Sequence, residues 1–186
     1  MSNLFFIKQY LKRPRTVGAV LPSSKHLAKK MVQNIDFENA RHIVEYGPGT
    51  GVFTDQLLHK RQPDAVVLLV EKNIIFYDLL KEKYKDSPNL HIINGSAENI
   101  GTYLKEHDMD QADCIISGLP FASIPRDISS AILTQTKLNL KPGGHFITFQ
   151  YTLLKKALFD QYFDSIIISR EMRNLPPAYV LCCTNP

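Results

Sequence analysis

The stretch that decides the fold is Glu45-Tyr46-Gly47-Pro48-Gly49-Thr50-Gly51. It directly follows a predicted strand at 42–46 and opens a predicted helix at 52–60, the setting in which a glycine-rich loop binds a ligand. The first two glycines permit a tight turn and a close approach of the backbone, and the third lets the helix pack near the strand. The spacing is G-x-G-x-G, one residue shorter than the dinucleotide-binding G-x-G-x-x-G. It therefore favours a nucleoside with an amino-acid tail over a pyrophosphate.

Residues at the ends of the first three predicted strands fit such a nucleoside. Glu45 ends the first strand, where it can contact an ammonium group directly or through water. Glu71 lies at the end of the second strand, where a carboxylate can accept hydrogen bonds from both ribose hydroxyls. Ser96 and Ala97 follow the third strand, at the position where nucleoside-binding sheets usually hold the adenine. A serine is a weaker signal there than an aspartate.

Strand and helix patterns alternate along the rest of the chain. A sixth and a seventh strand follow each other with no helix between them, so they should form an antiparallel hairpin at the sheet edge. We therefore expect an α/β fold, a Rossmann-like doubly wound sheet of seven strands, mostly parallel, with a C-terminal antiparallel hairpin. The predicted strands are 42–46, 65–70, 90–93, 112–117, 145–151, 165–170 and 178–183. The predicted helices are 3–12, 23–34 with Ser23 as its N-cap, 52–60, 74–84, 98–107, 126–138 and 153–163.

The composition is that of an ordinary globular chain, with 44% hydrophobic and 22% charged residues among 186. No apolar run is long enough to span a bilayer, and the N-terminus lacks the pattern of a secretory signal. The three cysteines are an odd number without metal-ligand spacing, and the six histidines are scattered. We expect reduced, buried cysteines, no metal site and a cytoplasmic protein.

Basic residues are concentrated at the N-terminus. Residues 1–30 carry seven basic residues and no acidic one. This distribution favours an anionic partner at that end, although a solvated helix face explains it as well. We expect residues 1–24 to form a basic helix and a link that covers the ligand, ahead of a ligand-binding domain at 25–186.

The chain resembles the class I S-adenosylmethionine-dependent methyltransferases over nearly its whole length. Within them it resembles the bacterial phospholipid N-methyltransferases, which are similar to the rRNA adenine dimethyltransferases. This narrower resemblance rests on GAVLPSS at 18–24, the glycine stretch at 45–54, SGLP at 117–120 and NLPPA at 174–178. It implies S-adenosyl-L-methionine as cofactor and S-adenosyl-L-homocysteine as product. The implied cofactor-binding residues are Ser23, Ser24, Glu45, Gly47, Gly49, Gly51, Glu71, Ser96, Ala97 and Ser117.

The motif after the fourth strand separates the candidate acceptors. Adenine dimethyltransferases have Asn-Leu-Pro followed by Tyr or Phe, whereas this chain has Gly118-Leu119-Pro120-Phe121. Phe121 retains the ability to stack on a base, but Gly118 offers no side-chain acceptor. The enzyme must hold methyl group and acceptor in line, and an amine acceptor must be unprotonated. The candidate residues for positioning the acceptor are Ser117, Leu119, Pro120 and Tyr151. For Tyr151, a structural role in the core explains the residue equally well.

Three functional hypotheses follow. The first is an N-methyltransferase for a phospholipid head-group amine or a similar lipid or small-molecule amphiphile. The second is an rRNA or nucleic-acid adenine N-methyltransferase that binds phosphates through its basic N-terminus, and the third is an inactive cofactor-binding module. Residues 1–15 combine apolar, aromatic and basic side chains. They are expected either to anchor the protein at the anionic inner membrane face or to dock on the domain.

Overall fold

The computed structural model describes residues 23–186, which form a three-layer α/β domain around one sheet. The expected N-terminal helix and most of the expected link therefore lie outside the described residues. The strands are β1 (His42–Tyr46), β2 (Val66–Glu71), β3 (Leu90–Asn94), β4 (Ala112–Ser117), β5 (Leu140–Gln150), β6 (Ser165–Glu171) and β7 (Ala178–Thr184). The helices are α1 (Lys25–Met31), α2 (Val52–Lys60), α3 (Ile74–Lys83), α4 (Ile100–Glu106), α5 (Arg126–Asn139) and α6 (Lys156–Phe159), and a 3-10 turn covers Ala97–Asn99.

The strand order is β3-β2-β1-β4-β5-β7-β6, and this confirms the predicted fold. β1 pairs in parallel with β2 and β4, and the parallel part of the sheet extends to β3 and β5. β7 runs antiparallel to both β5 and β6, so the C-terminal hairpin forms the edge as expected. The order reverses between β1 and β4, where a doubly wound sheet opens a crevice at the carboxyl ends of its strands.

Both faces of the sheet are covered, which is why its central strands are continuously apolar. One face packs against α1, α2 and α3, with Leu27, Leu57 and Leu80 fully buried. The other face packs against α4, α5 and α6, with Leu133 and Phe159 fully buried. These two layers leave the loops at the carboxyl edge of the sheet as the place for a ligand.

The start and end of α1 differ from the prediction. Ser24, and not Ser23, is the N-cap, because its side-chain oxygen accepts a hydrogen bond from the Leu27 N–H at 3.1 Å. The helix ends at Met31 and not near Asn34. A turn built on Asp36, whose carboxylate accepts the backbone N–H of Glu38 at 3.2 Å, then redirects the chain toward β1.

Two elements in the C-terminal half of the chain, β5 and α6, also differ from the prediction. β5 begins at Leu140, before the predicted start at residue 145, with a shift of register against β4. The predicted helix at 153–163 is wrong, because only Lys156–Phe159 is helical. The chain then turns so that Phe163 reaches the core, where its ring stacks on Phe146 at 5.6 Å between centroids.

The cysteines are buried and unpaired, as predicted. Cys182 belongs to the core layer beneath α1, and Cys183 faces the opposite layer. Burial raises the pKa of the Cys114, Cys182 and Cys183 thiols. Within residues 23–186, no cluster of histidine, cysteine and carboxylate side chains has the arrangement of a metal site. No helix in this part of the chain is long and apolar enough to cross a membrane.

Candidate active site

The glycine-rich loop joins β1 to α2 at the carboxyl edge of the sheet. Gly47, Gly49 and Gly51 all have positive φ angles, of +61°, +56° and +81°. A Cβ atom added at Gly49 would meet no atom within 4 Å, so open space lies above this residue. A Cβ atom at Gly51 would overlap the Tyr84 hydroxyl. Gly51 is therefore required by packing, whereas Gly49 keeps the backbone accessible to a ligand.

Side chains from α2 and α3 hold this loop in place. The Tyr84 hydroxyl lies 2.9 Å from the Gly51 carbonyl oxygen and 2.7 Å from the Asp55 carboxylate. The Lys83 ammonium pairs with the same carboxylate and donates to the Thr50 carbonyl oxygen at 3.2 Å. Burial raises the pKa of Tyr84, so this hydroxyl stays protonated. Sequence reasoning missed Tyr84, because no local pattern shows that a residue ending α3 reaches the loop before α2.

Glu45 is a fully buried carboxyl group at the end of β1. Its Oε2 atom accepts a hydrogen bond from the Thr54 hydroxyl at 2.7 Å. Its Oε1 atom has no hydrogen-bond partner within residues 23–186. Burial raises the pKa of Glu45 to about 8, against the smaller opposing effect of the Thr54 hydrogen bond. An unpartnered carboxyl oxygen beside a glycine loop is suited to a cationic ligand group, because buried polar groups normally have partners.

Glu71 lies at the end of β2 and is tied directly to the glycine loop. Its Oε2 atom accepts the Gly49 N–H at 3.0 Å, and its Oε1 atom accepts the Asn73 N–H at 2.8 Å. Burial raises the pKa of Glu71, while these backbone N–H groups oppose that effect. The two halves of the predicted cofactor motif are therefore in contact. Ile74, at the first position of α3, leaves an apolar side chain largely exposed at the same edge.

The region after β3 carries a carboxylate where the sequence predicted only a serine. The Ser96 hydroxyl donates to Glu98 Oε2 at 2.8 Å, and Ala97 is buried. Glu98 thus brings its charge to the position of Ser96 although it lies two residues further on. The signal was present in the sequence as an acidic residue just after the expected position.

The loop after β4 packs directly on the glycine loop. A Cβ atom at Gly118 would come within 2.7 Å of the Gly47 carbonyl oxygen, so this position needs glycine. Ser117 is fully buried, and its side-chain oxygen accepts the Leu119 N–H at 3.2 Å. The Leu119 side chain lies against Gly47, and Pro120 is exposed. Of the four predicted catalytic candidates, Leu119 thus contacts the glycine loop, the Ser117 hydroxyl is engaged in the adjoining turn, and Pro120 is exposed in the same loop.

Phe121 lies in the core and does not face the crevice. Its ring packs edge-on against Phe146 and Phe159, at 6.2 and 5.2 Å between centroids. The expectation that Phe121 can stack on a base is therefore wrong, because this aromatic cluster buries the ring completely.

Asn174 links three parts of the chain that the sequence did not connect. Its Oδ1 atom accepts the Ser24 N–H at 3.0 Å, and its Nδ2 atom donates to the Pro176 carbonyl oxygen at 2.8 Å. Burial raises the pKa of the Tyr151 hydroxyl, against a smaller opposing effect of its hydrogen bond to Asn174. Ser23 and Ser24 therefore enter the domain beside Tyr151, at the carboxyl edge. The only sequence signal for this link was the joint presence of the segments 18–24 and 174–178.

This fold and this arrangement of loops define a class I S-adenosylmethionine-dependent methyltransferase. The 16S rRNA N2 G1207 methyltransferase (RsmC) of Thermus thermophilus, solved with AdoMet and guanosine, shares the fold with a TM-score of 0.68 and 19% identity. The alignment covers 92% of this chain and 45% of that one. The unpartnered Oε1 atom of Glu45 and the open space at Gly49 fit the cofactor.

The family model for ribosomal RNA adenine dimethylase matches residues 18–159, and the chain belongs to this family. An ornithine lipid N-methyltransferase of Singulisphaera acidiphila is 32% identical, over 98% of this chain and 96% of that protein. A ribosomal RNA small subunit methyltransferase A of Dehalococcoides mccartyi is 28% identical over 80% of this chain. The chain spans only 48% of that second relative. The protein is thus an enzyme that uses S-adenosyl-L-methionine.

Proposed function

We propose that the protein transfers a methyl group from S-adenosyl-L-methionine to the amine of a phospholipid head group or a similar amphiphile. The observation that carries this proposal is the similarity to the ornithine lipid N-methyltransferase, which extends over almost the full length of both chains. The similarity to the rRNA enzyme covers about half of that protein. Similarity over a whole chain includes the parts that bind the acceptor, which a shared cofactor domain does not.

The loop after β4 also supports a lipid acceptor over an adenine. Gly118 has no side chain that can accept a hydrogen bond from a base amine, and contact with Gly47 leaves no room for one. Phe121 is unavailable for stacking because it lies in the core. Single bases are usually held by stacking on an aromatic ring. The family membership keeps an rRNA acceptor as the second candidate, and the assay below separates the two.

For the cofactor, we assign the ammonium group to Glu45 and the ribose hydroxyls to Glu71. The glycine loop would contribute its accessible backbone at Gly49, and Ile74 and the 96–98 segment would hold the adenine. Ser23 and Ser24 would lie on the methionine side, and the Ser24 N–H is bound to Asn174 Oδ1. When bound, the cofactor would supply a methyl group carried on a sulfonium. The neutral thioether that remains is a good leaving group. The protein therefore has mainly to position the acceptor.

The acceptor amine would lie between the loop after β4 and Tyr151. Leu119 and Pro120 form one wall, while Ser117 fixes their turn through its hydrogen bond to the Leu119 N–H. The raised pKa of Tyr151 keeps the phenol neutral, so its oxygen can accept an N–H hydrogen bond from an unprotonated amine. A cofactor held by Glu45, Glu71 and the glycine loop would supply the methyl group to this nitrogen and leave as S-adenosyl-L-homocysteine. The amine proton passes to water.

We also propose that the protein works at the inner membrane face and that residues 1–15 contribute to binding there. They supply four basic side chains without an acidic one, together with apolar and aromatic side chains. Basic residues near an anionic leaflet each contribute on the order of 1 kcal/mol. We further propose that residues 1–24 consist of a basic helix and a link that covers the cofactor, and that residues 25–186 form the domain that binds it.

The deciding experiment is a transfer assay with methyl-labelled cofactor against total lipid, total RNA and a small-molecule extract. Label in the lipid fraction is expected, and a Gly49→Ala variant should reduce it when the cofactor concentration is near the wild-type Kd. Label in RNA alone would replace the proposal with the rRNA function. Binding of the cofactor without label in any fraction would instead favour an inactive cofactor-binding module.

A further inference from the structure

Exposed apolar side chains gather in two loops of the domain. Leu153 and Leu154 follow β5, and Met172 and Leu175 lie between β6 and β7. Leu154 is 89% exposed and Leu175 is 81% exposed, values at which a leucine side chain is almost entirely in water. We call these four residues the apolar rim. A contiguous exposed apolar patch marks a site of contact with a protein or a membrane.

The two loops lie side by side at the carboxyl edge of the sheet, where the glycine loop also lies. Because β5 and β6 both run antiparallel to β7, they point in the same direction, and their ends lie in one row of the sheet. Adjacent strands are about 4.8 Å apart, so the loops start about 10 Å from each other. Tyr151, which directly follows β5, lies close enough to Asn174 in the second loop for the Asn174 side chain to affect the pKa of its hydroxyl. The apolar rim therefore borders the proposed acceptor site.

The charges around the apolar rim are mainly positive. Glu171 and Asp160 are paired with Arg173 and Lys156, respectively, so the acidic side chains closest along the chain are neutralised. Lys155 adjoins the first loop, and Lys25 follows Ser24, whose backbone is bound to the second loop. Within residues 23–186 neither lysine belongs to an ion pair, in contrast to those two acids. Apolar tips flanked by unpaired cations match the interface of an anionic bilayer.

We propose that the apolar rim binds the surface of an anionic phospholipid bilayer, with Leu154 and Leu175 inserted among the lipids. This inference rests on the proposed lipid function and adds the surface by which the domain itself approaches its substrate. Insertion at this edge turns the opening between the β4 loop and Tyr151 toward the head groups. It is a contact separate from that of residues 1–15, since it is made by the folded domain.

The test compares full-length variants in co-sedimentation with phosphatidylglycerol-containing vesicles at low salt. The double variant Leu154→Ser/Leu175→Ser should lose about tenfold in vesicle partitioning, which corresponds to roughly 1.4 kcal/mol. Leu138→Ser is the matched control, because Leu138 is 63% exposed but lies at the end of α5, on the opposite edge of the sheet. It should bind vesicles like the wild type. All variants should bind S-adenosyl-L-homocysteine equally, which shows that they are folded.

The outcomes distinguish this proposal from the proposed function. If the double variant binds vesicles like the wild type, the apolar rim makes no contact with the bilayer. This holds also where deletion of residues 1–15 abolishes vesicle binding, since binding then depends on that segment alone. The proposal is also overturned if the double variant has a lower molar mass in solution than the wild type but binds vesicles equally. The apolar rim is then an interface between copies of the chain. Loss of vesicle binding by the double variant supports the rim, even if the wild type methylates no lipid. In that case only the lipid-acceptor proposal fails.

Discussion

The ionisation of Glu45 is expected to control how tightly the cofactor binds. Burial raises the pKa of this carboxyl group to about 8, so at pH 7 most of it is protonated in the free protein. A bound ammonium beside its unpartnered Oε1 atom favours the carboxylate. Binding must then release a proton. At pH 7 the ionisation costs about 1.4 kcal/mol, the free energy of one pKa unit.

This cost sets the pH dependence of binding. If only the carboxylate form binds, the Kd should fall about ninefold between pH 6 and pH 7, with about one proton released per cofactor at pH 7. An α-amino group remains charged over this range. Titration calorimetry in two buffers of different ionisation enthalpy measures both quantities. Glu45→Gln should bind more weakly at pH 7.5 and should lose the dependence on pH.

Glu71→Gln is the matched control for this experiment. It removes a negative charge from the same crevice, at the position proposed for the ribose and not at the one proposed for the ammonium. It should weaken binding at both pH values while keeping most of the pH dependence, because the charge of Glu71 contributes less than burial to the raised pKa of Glu45. A wild-type pH dependence in Glu45→Gln, or no proton release by the wild type, would contradict the assignment of Glu45 to the ammonium group.

The same pKa affects the free energy of unfolding. Glu45 in the unfolded chain ionises near the ordinary value of 4.5, whereas in the folded protein its pKa is about 8. Between these pH values the unfolded chain has lost a proton that the folded protein still binds. The contribution of Glu45 is therefore fully present below pH 4.5 and decreases by about 1.4 kcal/mol per pH unit up to pH 8. Denaturant unfolding of the wild type and of Glu45→Gln at pH 5 and pH 7 measures this slope.

Three substitutions test the loops of the site, and Gly143→Ala, outside the site, is the control for the first of them. Gly49→Ala and Gly143→Ala both place a Cβ atom at a positive φ angle in open space, at a cost of about 1–2 kcal/mol each. Calorimetry should nevertheless show weaker cofactor binding by at least about tenfold for Gly49→Ala alone; equal affinities would contradict the role of Gly49. Tyr84→Phe should lower the free energy of unfolding by about 1–2 kcal/mol, since the buried Gly51 carbonyl oxygen and the exposed Asp55 carboxylate lose a partner. An unchanged melting temperature would argue against it. Asn174→Ala should speed amide hydrogen exchange at Ser24, and unchanged exchange would contradict the 3.0 Å contact.

Much of the fold could be predicted, because the signals for it are local. The continuous apolar run at 65–70 indicated a strand buried on both faces, and β2 occupies nearly that range. The glycine loop was recognisable from its spacing and its place between strand and helix. Glu45 and Glu71 could be assigned to one crevice, since the carboxyl ends of adjacent parallel strands lie together.

The rest depends on contacts between distant parts of the chain. The apolar residues at 153 and 154 completed a helical pattern, yet both are exposed, because periodicity does not distinguish a core face from an exposed loop. Phe121 belongs to a motif that suggested stacking, but the direction of its ring is set by Phe146 and Phe159. The bond between Ser24 and Asn174 spans 150 residues and has no local signal.

The burial of every cysteine makes the natural chain a ready background for spectroscopic labelling. Maleimide reagents attack the thiolate form of accessible cysteines, and here all three thiols are buried with raised pKa values. The native thiols should therefore react slowly in the folded protein. A single new cysteine at an exposed position such as Leu154 would carry a fluorophore alone, without prior removal of the others. Its emission would then report the polarity around that one side chain.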